Sequence, residues 1–192
     1  MKREVDNRTI LDRFAKEFAD IVENHAKYVI VSGFVAIAHG RSRGTEDIDM
    51  IIERIPESRF ITIHKELINK GFRCMQSEDP AVIYNDYLAE NLCVRYTREG
   101  EFLPEMELKL AKDRLDEHQL ENRKKLPMTG LDIYFSGIEM NIAFKEELLK
   151  SDKDMEDARH LRIVYEDEID EQEIKSIKKE IRELRLSERQ KP

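Results

Sequence analysis

The sequence predicts an α/β fold, in which a small mixed sheet is flanked by helices and followed by a helical C-terminal portion. Short apolar runs rich in β-branched residues, typical of buried strands, alternate with amphipathic helical patterns over residues 1–137. Residues 138–192 contain helical patterns alone. The 192-residue length suits one domain with a helical appendage. We therefore expect a core over residues 1–137 and a helical portion over residues 138–192 packed on it.

Composition and charge narrow the class of protein. The 40% hydrophobic fraction can supply a core, and the formal net charge of −8 disfavours strong sequence-independent binding to nucleic-acid phosphates. Cys74 and Cys93 are too few for a disulfide framework or a four-thiolate zinc site. No apolar run approaches the roughly 20 residues that span a bilayer. We expect a soluble, cytoplasmic protein with no membrane partner.

The first predicted elements lead into a tight turn. Apolar residues at helical spacing over residues 10–22 predict an amphipathic helix. The apolar run over residues 28–33 predicts a buried strand that ends in the small residues Ser32 and Gly33. A second helical pattern follows this turn and stops at Gly40.

Two later strands alternate between apolar and charged residues. The segment DIDMIIE sends Asp47 and Asp49 to one face and its apolar side chains to the other. A helix is predicted over residues 56–71, with Pro at its start and Gly at its end. The segment EMELKLA alternates in the same way, so Glu105 and Glu107 share its polar face.

The remaining segments complete the predicted order of elements. Residues 80–90 suit a short helix or an ordered loop, and later segments suit a strand over 91–96, an exposed helix over 112–125 and a strand over 131–136. Three helical patterns follow residue 137. Ser151 or Asp152 is the predicted N-cap of the second of them.

The block from Ser32 to Asp49 combines two parts of a phosphate and metal site. Small residues at a strand-to-helix turn let backbone N–H groups approach a phosphate, and the helix N-terminus adds a favourable dipole. Two carboxylates on one face suit Mg²⁺, a hard cation that keeps substrate phosphates and waters in its shell. The block therefore predicts a site for a metal-bound nucleoside triphosphate.

This block resembles the signature of the polymerase-beta-type nucleotidyltransferase superfamily, a small-residue turn followed by Asp-x-Asp. More narrowly, it is similar to a small prokaryotic group that includes abortive-infection toxins, in which Arg-x-Thr or Arg-x-Ser precedes Asp-Ile-Asp. The matching residues are Ser32, Gly33, Arg43, Thr45, Asp47 and Asp49. Ser32 stands where the family more often has Gly. The resemblance implies a nucleotidyltransferase fold with residues 1–137 as the catalytic core.

The resemblance also implies a role for each site residue. Asp47 and Asp49 would be catalytic and would ligate Mg²⁺ or Mn²⁺, and a later strand would supply a third carboxylate, Glu107 or, on the same face, Glu105. Glu107 is the preferred candidate for this catalytic and metal-binding role. The nucleotide-binding residues that the resemblance implies are Ser32, Gly33, Arg43, Thr45 and Lys145.

The implied activity is metal-dependent transfer of a nucleoside monophosphate, with AMP from ATP as the default, to a hydroxyl group. The acceptor stays open among a small molecule, a tRNA and a protein. Two departures from the family pattern favour an alternative: Ser32 stands where Gly is more common, and Glu107 stands where the third carboxylate is usually Asp. In this alternative the chain is a weak or inactive nucleotide-binding or toxin–antitoxin regulatory module. A homodimer or a cognate protein partner is compatible with both.

Several of these residues also have a purely structural interpretation. An Asp-x-Asp pair alone is common on a solvated strand face, and Lys145 would then be an ordinary helix-surface lysine. Asp154 and Asp157, which the same resemblance singles out, would complement a helix dipole. His39 would be a surface histidine.

Overall fold

A mixed sheet of seven strands lies at the centre of the molecule. The structure is a computed structural model that describes residues 9–42, 44–45 and 47–189. The strands are β1 (Tyr28–Val31), β2 (Asp47–Ile52), β3 (Phe72–Cys74), β4 (Val94–Arg98), β5 (Glu105–Leu110), β6 (Lys124–Lys125) and β7 (Tyr134–Phe135). Their spatial order is β3-β4-β5-β2-β1-β7-β6. The α/β fold with a mixed sheet is thus confirmed.

Helices flank this sheet over the described part of the chain. They are α1 (Ile10–Glu23), α2 (Gly33–Ala38), α3 (Glu57–Asn69), α4 (Pro80–Val82), α5 (Arg114–Glu121), α6 (Ile138–Phe144), α7 (Asp152–Val164) and α8 (Glu171–Arg189). π-helical segments continue α4 over Ile83–Leu88 and α6 over Lys145–Leu149. None of the described helices combines the length and apolar composition that a membrane span needs.

The two faces of the sheet differ in what covers them. The main core lies on one face, where the apolar residues of β2 and β5 meet the buried sides of α1 and α3. Its strand members are Ile48, Met50, Ile52, Met106, Leu108 and Leu110. The other face has a small apolar cluster of Val29, Ile51, Ala111 and Leu120. The predicted alternation of β2 and β5 therefore leaves polar side chains on this second face.

The segment between β5 and β7 differs from the exposed helix predicted over residues 112–125. Half of the eight residues of α5 are buried, namely Leu115, Asp116, Gln119 and Leu120. Lys124–Lys125 form β6, which pairs antiparallel with β7. The prediction was wrong because Asp116 and Gln119 are polar residues on the buried side of the helix, which hides its amphipathic pattern.

The C-terminal helices follow β7 and pack against the core through α2 and α7. His39, at the end of α2, lies 2.7 Å by Nε2 from the Tyr165 hydroxyl and 2.6 Å by Nδ1 from the Val35 carbonyl oxygen. Because Nδ1 must donate to that carbonyl, Nε2 accepts from Tyr165. His39 is therefore a buried link between the two parts of the chain, and the surface position predicted for it was wrong. The domain boundary at residue 137 stays a prediction.

Candidate active site

Three neighbouring strands place a row of charged side chains across the polar face of the sheet. Parallel pairing of β2 with β5 sets Asp49 opposite Glu107 and Asp47 opposite Glu105. Antiparallel pairing of β4 with β5 sets Arg95 opposite Glu107. Because alternate residues of a strand share a face, the four carboxylates lie together on the side away from the main core.

The turn after β1 lies beside this row. Val31, the last residue of β1, is the register partner of Asp49, so Ser32 and Gly33 follow next to the carboxylates. The Ser32 hydroxyl donates a hydrogen bond to the Asp49 carboxylate. Ser32 has φ 66° and ψ −135°, a backbone conformation that favours glycine. The strained residue of the turn is therefore Ser32.

Asp49 lies in a place that opposes its ionisation. Burial raises its pKa to about 6, and the nearby negative charges of Glu107 and Asp47 act in the same direction. The hydrogen bond from Ser32 and the charge of Lys109 lower the pKa in part. This crowding of negative charge in a partly buried position favours binding of a cation.

The side chain of Glu107 is held by an arginine. Arg95 lies 2.7 Å by Nε and 2.6 Å by Nη2 from Oε1 of Glu107, and 3.4 Å from Glu105. Over the described part of the chain, no three His, Cys, Asp or Glu side chains are gathered into a ready metal site. A metal that used Glu107 would therefore have to replace Arg95 as its partner.

A cleft of about 210 Å³ opens beside the row. Ser32, Asp49 and Glu107 line it with other residues of the sheet and with Cys93, and further lining comes from α5, α6 and the π-helical segment after α6. The buried polar residues that line it are Asp116, Gln119, Asn141 and Lys145, and apolar lining comes from Phe144 and Leu148. Carboxylates, a strained small-residue turn and buried donors thus share one cavity.

Comparison with known proteins decides the fold. No family model and no curated protein matches the chain. An antigenic nucleotidyltransferase-like protein from Paracoccidioides brasiliensis matches in structure with a TM-score of 0.52 and 16% identity, over 92% of this chain and 89% of that chain. ANT(2″)-Ia in complex with adenylyl-2″-tobramycin matches with a TM-score of 0.55 and 14% identity, over 91% and 98%. The chain has the nucleotidyltransferase fold.

A second structure of ANT(2″)-Ia supports the same assignment. This solution structure of the antibiotic-resistance factor matches with a TM-score of 0.51 and 13% identity, over 92% of this chain and 95% of that chain. The predicted nucleotidyltransferase fold is confirmed. The narrower resemblance to the abortive-infection group stays a prediction.

Within this nucleotidyltransferase fold, Lys145 is buried in a charged network at the edge of the cleft. Its side chain is 1% exposed, and Nζ lies 2.8 Å from Asp157 and 3.5 Å from Asp154. Asp157, fully buried, also pairs with Arg41. The interpretations of Lys145 as a surface lysine and of Asp157 as a dipole-complementing acid were therefore wrong, whereas Asp154 forms a capping box with Ser151.

The other predicted nucleotide-binding residues have different surroundings. Ser32 lines the cleft, and Gly33 follows it as the first residue of α2. Thr45 donates its hydroxyl to Oδ1 of Asp47 at 2.9 Å, so in this nucleotidyltransferase fold it orients a carboxylate. Arg43 lies outside the described residues. Their roles toward a nucleotide stay predictions.

Sequence reasoning missed the buried polar residues that close the cleft, Asp116, Gln119 and Asn141. A signal for two of them was present in α5, because Leu115 and Leu120 fall on the same helical side as Asp116 and Gln119. A polar residue inside an apolar stripe indicates either a buried hydrogen bond or a site. Nothing comparable marks Asn141 before the fold is known.

The positive φ of Ser32 predicts that its Gly variant is more stable than its Ala variant, the reverse of the usual order. Ser32→Gly and Ser32→Ala both lose the hydroxyl, but the Gly variant relieves the positive φ. We expect Ser32→Gly to be more stable than Ser32→Ala by about 1–2 kcal/mol in chemical denaturation. At Ser176, exposed within α8, the same pair should show the usual order with Ala more stable. Equal stability of the two Ser32 variants would contradict the strain.

Proposed function

We propose that the protein is a divalent-metal-dependent nucleotidyltransferase that transfers a nucleoside monophosphate, AMP in the first place, from its triphosphate to a hydroxyl group. One observation carries the proposal. Asp49 and Glu107 are register partners beside the Ser32 turn, on the polar face of a sheet with the nucleotidyltransferase fold. This arrangement sets carboxylates against the small-residue turn that would hold the polyphosphate.

The donor set suits Mg²⁺ or Mn²⁺. Asp47, Asp49 and Glu107 offer oxygen ligands, which these hard cations prefer. Such a cation is commonly held by one or two carboxylates together with substrate phosphates, so a site built from protein alone is not required. When bound, the metal supplies Lewis-acid stabilisation of the charge on the phosphates.

The proposed reaction exchanges one phosphorus–oxygen bond for another. The acceptor hydroxyl oxygen bonds to the α-phosphorus, the bond from that phosphorus to the oxygen bridging to the β-phosphate breaks, and pyrophosphate leaves. The hydroxyl proton passes to a carboxylate of the cleft. Ser32 and Gly33 would hold the polyphosphate, and Lys145 would offset its charge. The protein acts by positioning and by electrostatic stabilisation.

A small molecule is the first acceptor to test. ANT(2″)-Ia, which shares the fold, has been crystallised with adenylyl-2″-tobramycin. A tRNA or a protein side chain remains a further choice for the same chemistry.

One observation favours a second candidate, a nucleotide-binding module without turnover. Arg95 forms an ion pair with Glu107, the carboxylate proposed as the third metal ligand. If the ion pair between Arg95 and Glu107 is more stable than the interaction of the metal with Glu107, the metal does not gain this ligand. The cleft then binds a nucleoside triphosphate but does not transfer its monophosphate. This module would regulate through binding alone.

Transfer from labelled triphosphates tests the proposal. The protein is incubated with each labelled nucleoside triphosphate, Mg²⁺ or Mn²⁺, and either tobramycin or cell extract. We expect a labelled acceptor, lost in Asp47→Asn and retained in Asp132→Asn, whose exposed carboxylate lies away from the cleft. Metal-dependent binding without transfer supports the second candidate. Absence of any metal-dependent thermal shift with every triphosphate contradicts both.

A further inference from the structure

Two amide side chains lie inside the cleft and have no catalytic role in the proposed function. Gln119 of α5 is 5% exposed and Asn141 of α6 is 3% exposed, and both line the cavity. They are joined through Ser136, which follows β7 and donates its backbone N–H to the Ile30 carbonyl oxygen of β1 at 2.9 Å. The pair therefore sits against the strand that ends at the Ser32 turn.

Their hydrogen bonds leave one polar atom of each amide for the cavity. Asn141 donates its Nδ2 to the carbonyl oxygens of Ser136 at 3.0 Å and Gly137 at 2.9 Å. Gln119 accepts at Oε1 from the Ser136 hydroxyl at 3.1 Å. Within the described part of the chain, Oδ1 of Asn141 and Nε2 of Gln119 make no hydrogen bond to protein. A hydrogen-bond acceptor and a donor are thus available to a ligand.

The two amides are not equally free to turn. Both hydrogen bonds of Asn141 go to carbonyl oxygens, which only its Nδ2 can serve, so the orientation of this amide is fixed and its Oδ1 is left as an acceptor. The Ser136 hydroxyl can donate or accept, so Gln119 could turn its amide over. The ligand must therefore present a hydrogen-bond donor to Asn141. Gln119 can turn its amide to match either a donor or an acceptor on the neighbouring atom of the ligand.

The surroundings suit a flat heterocycle. Phe144 and Leu148 line the same cavity and can pack on an aromatic ring. A nucleobase with an exocyclic amine beside a ring nitrogen acceptor matches the fixed acceptor of Asn141 and the donor of Gln119, as amide side chains match adenine elsewhere. Adenine and cytosine have this edge.

We propose that Gln119 and Asn141 form the base-binding subsite of the cleft and select a nucleobase that carries an exocyclic amine. This inference rests on the proposed function, because it places the base of the same nucleoside triphosphate. It names two residues that specify which triphosphate is used, separately from the carboxylates that act on its phosphates.

Binding of paired analogues tests the subsite. Affinities of ATP, of purine riboside triphosphate, which lacks the amine, and of inorganic tripolyphosphate are measured by calorimetry with Mg²⁺. We expect wild type to bind ATP roughly tenfold more tightly than the analogue without the amine. Asn141→Leu should bind both nucleotides equally, and Gln119→Met should weaken both by a similar factor. Tripolyphosphate should bind all three proteins alike.

The outcomes separate this subsite from the proposed function. Asn141→Leu loses two hydrogen bonds to backbone and can fail to fold. Gln119→Met leaves those bonds intact and tests the contribution of Gln119, and unchanged affinity of this variant for ATP overturns the role of that residue. Equal binding of ATP and the amine-free analogue by wild type, with tripolyphosphate still bound, overturns the subsite alone. Failure of wild type to bind either triphosphate or tripolyphosphate overturns the proposed function and the subsite with it.

Discussion

Asp49→Asn is expected to lower nucleotidyl transfer severely and, at the same time, to stabilise the metal-free protein. The variant removes a proposed metal ligand, and charge stabilisation by a bound metal is worth several kcal/mol, so activity should fall by roughly a thousandfold. It also removes a carboxylate whose ionisation is opposed by burial and by Glu107 and Asp47. Activity is measured with labelled triphosphate, and stability by thermal unfolding without metal.

The gain in stability from this variant should depend on pH. In the folded protein the Asp49 carboxyl has a pKa of about 6, against its ordinary 3.8. The folded state therefore binds more protons between these values, so the free energy of unfolding of wild type falls as pH rises from about 4 to 6. Asn does not titrate. Above pH 6 the variant should be more stable by about 1–2 kcal/mol, allowing for solvent screening, and the difference should vanish below pH 4.

Asp132→Asn is the matched control for this experiment. The ion pair with Lys125 lowers the pKa of Asp132, so the sign of its contribution is the reverse, and that exposed side chain lies away from the cleft. The control should retain transfer and should gain no stability above pH 6. A wild-type protein more stable than Asp49→Asn at pH 7.5 without metal would contradict the crowding of charge at the site.

The local patterns of the strands were predictable, but their pairing was not. Alternation alone places Glu105 and Glu107 on one face of β5, and both suit a third carboxylate. The choice depends on the register between β2 and β5, which sets Glu107 opposite Asp49. Register is determined by contacts between segments more than fifty residues apart, so no local pattern contains it. The partnership of Glu107 with Arg95 of β4 depends on the same long-range pairing.

Buried charge was the harder part of the site to predict. Lys145 lies among Glu146, Glu147 and Lys150 in the sequence, a composition typical of an exposed helix surface. It is buried because α7 places Asp157 against it, and a lysine enters a core when an acidic partner meets it there. The partner lies on a different helix, so the helical pattern around Lys145 does not indicate it.

Asp157→Asn is expected to cause the largest loss of stability in the C-terminal helices. Asp157 is fully buried between the Lys145 ammonium and the Arg41 guanidinium, and its neutralisation leaves two cations with reduced compensation. Removing one partner of a buried ion pair costs about 3–5 kcal/mol. In a protein of this size, thermal unfolding should shift down by roughly 6–20 °C.

Asp154→Asn provides the comparison for this variant. Asp154 is partly exposed, lies 3.5 Å from the same lysine and forms a capping box with Ser151. Its replacement should cost about 1 kcal/mol, the usual contribution of a cap. If Asp157→Asn were no more destabilising than Asp154→Asn, the buried pair would not hold these helices in place.

A double variant separates the structural role of Lys145 from its proposed contact with the nucleotide. Replacing buried ion-paired residues by apolar ones is often close to neutral when no charge is left unpaired. Arg41, the other partner of Asp157, also bonds Glu156 and the Lys153 carbonyl oxygen. Lys145→Met with Asp157→Leu should therefore recover much of the stability that Asp157→Asn loses. If Lys145 also offsets triphosphate charge, this double variant should fold and yet bind tripolyphosphate with Mg²⁺ more weakly than wild type. Wild-type affinity for tripolyphosphate in a stable double variant would assign Lys145 to the core alone, because a cation that contacts phosphate cannot be removed without loss of binding.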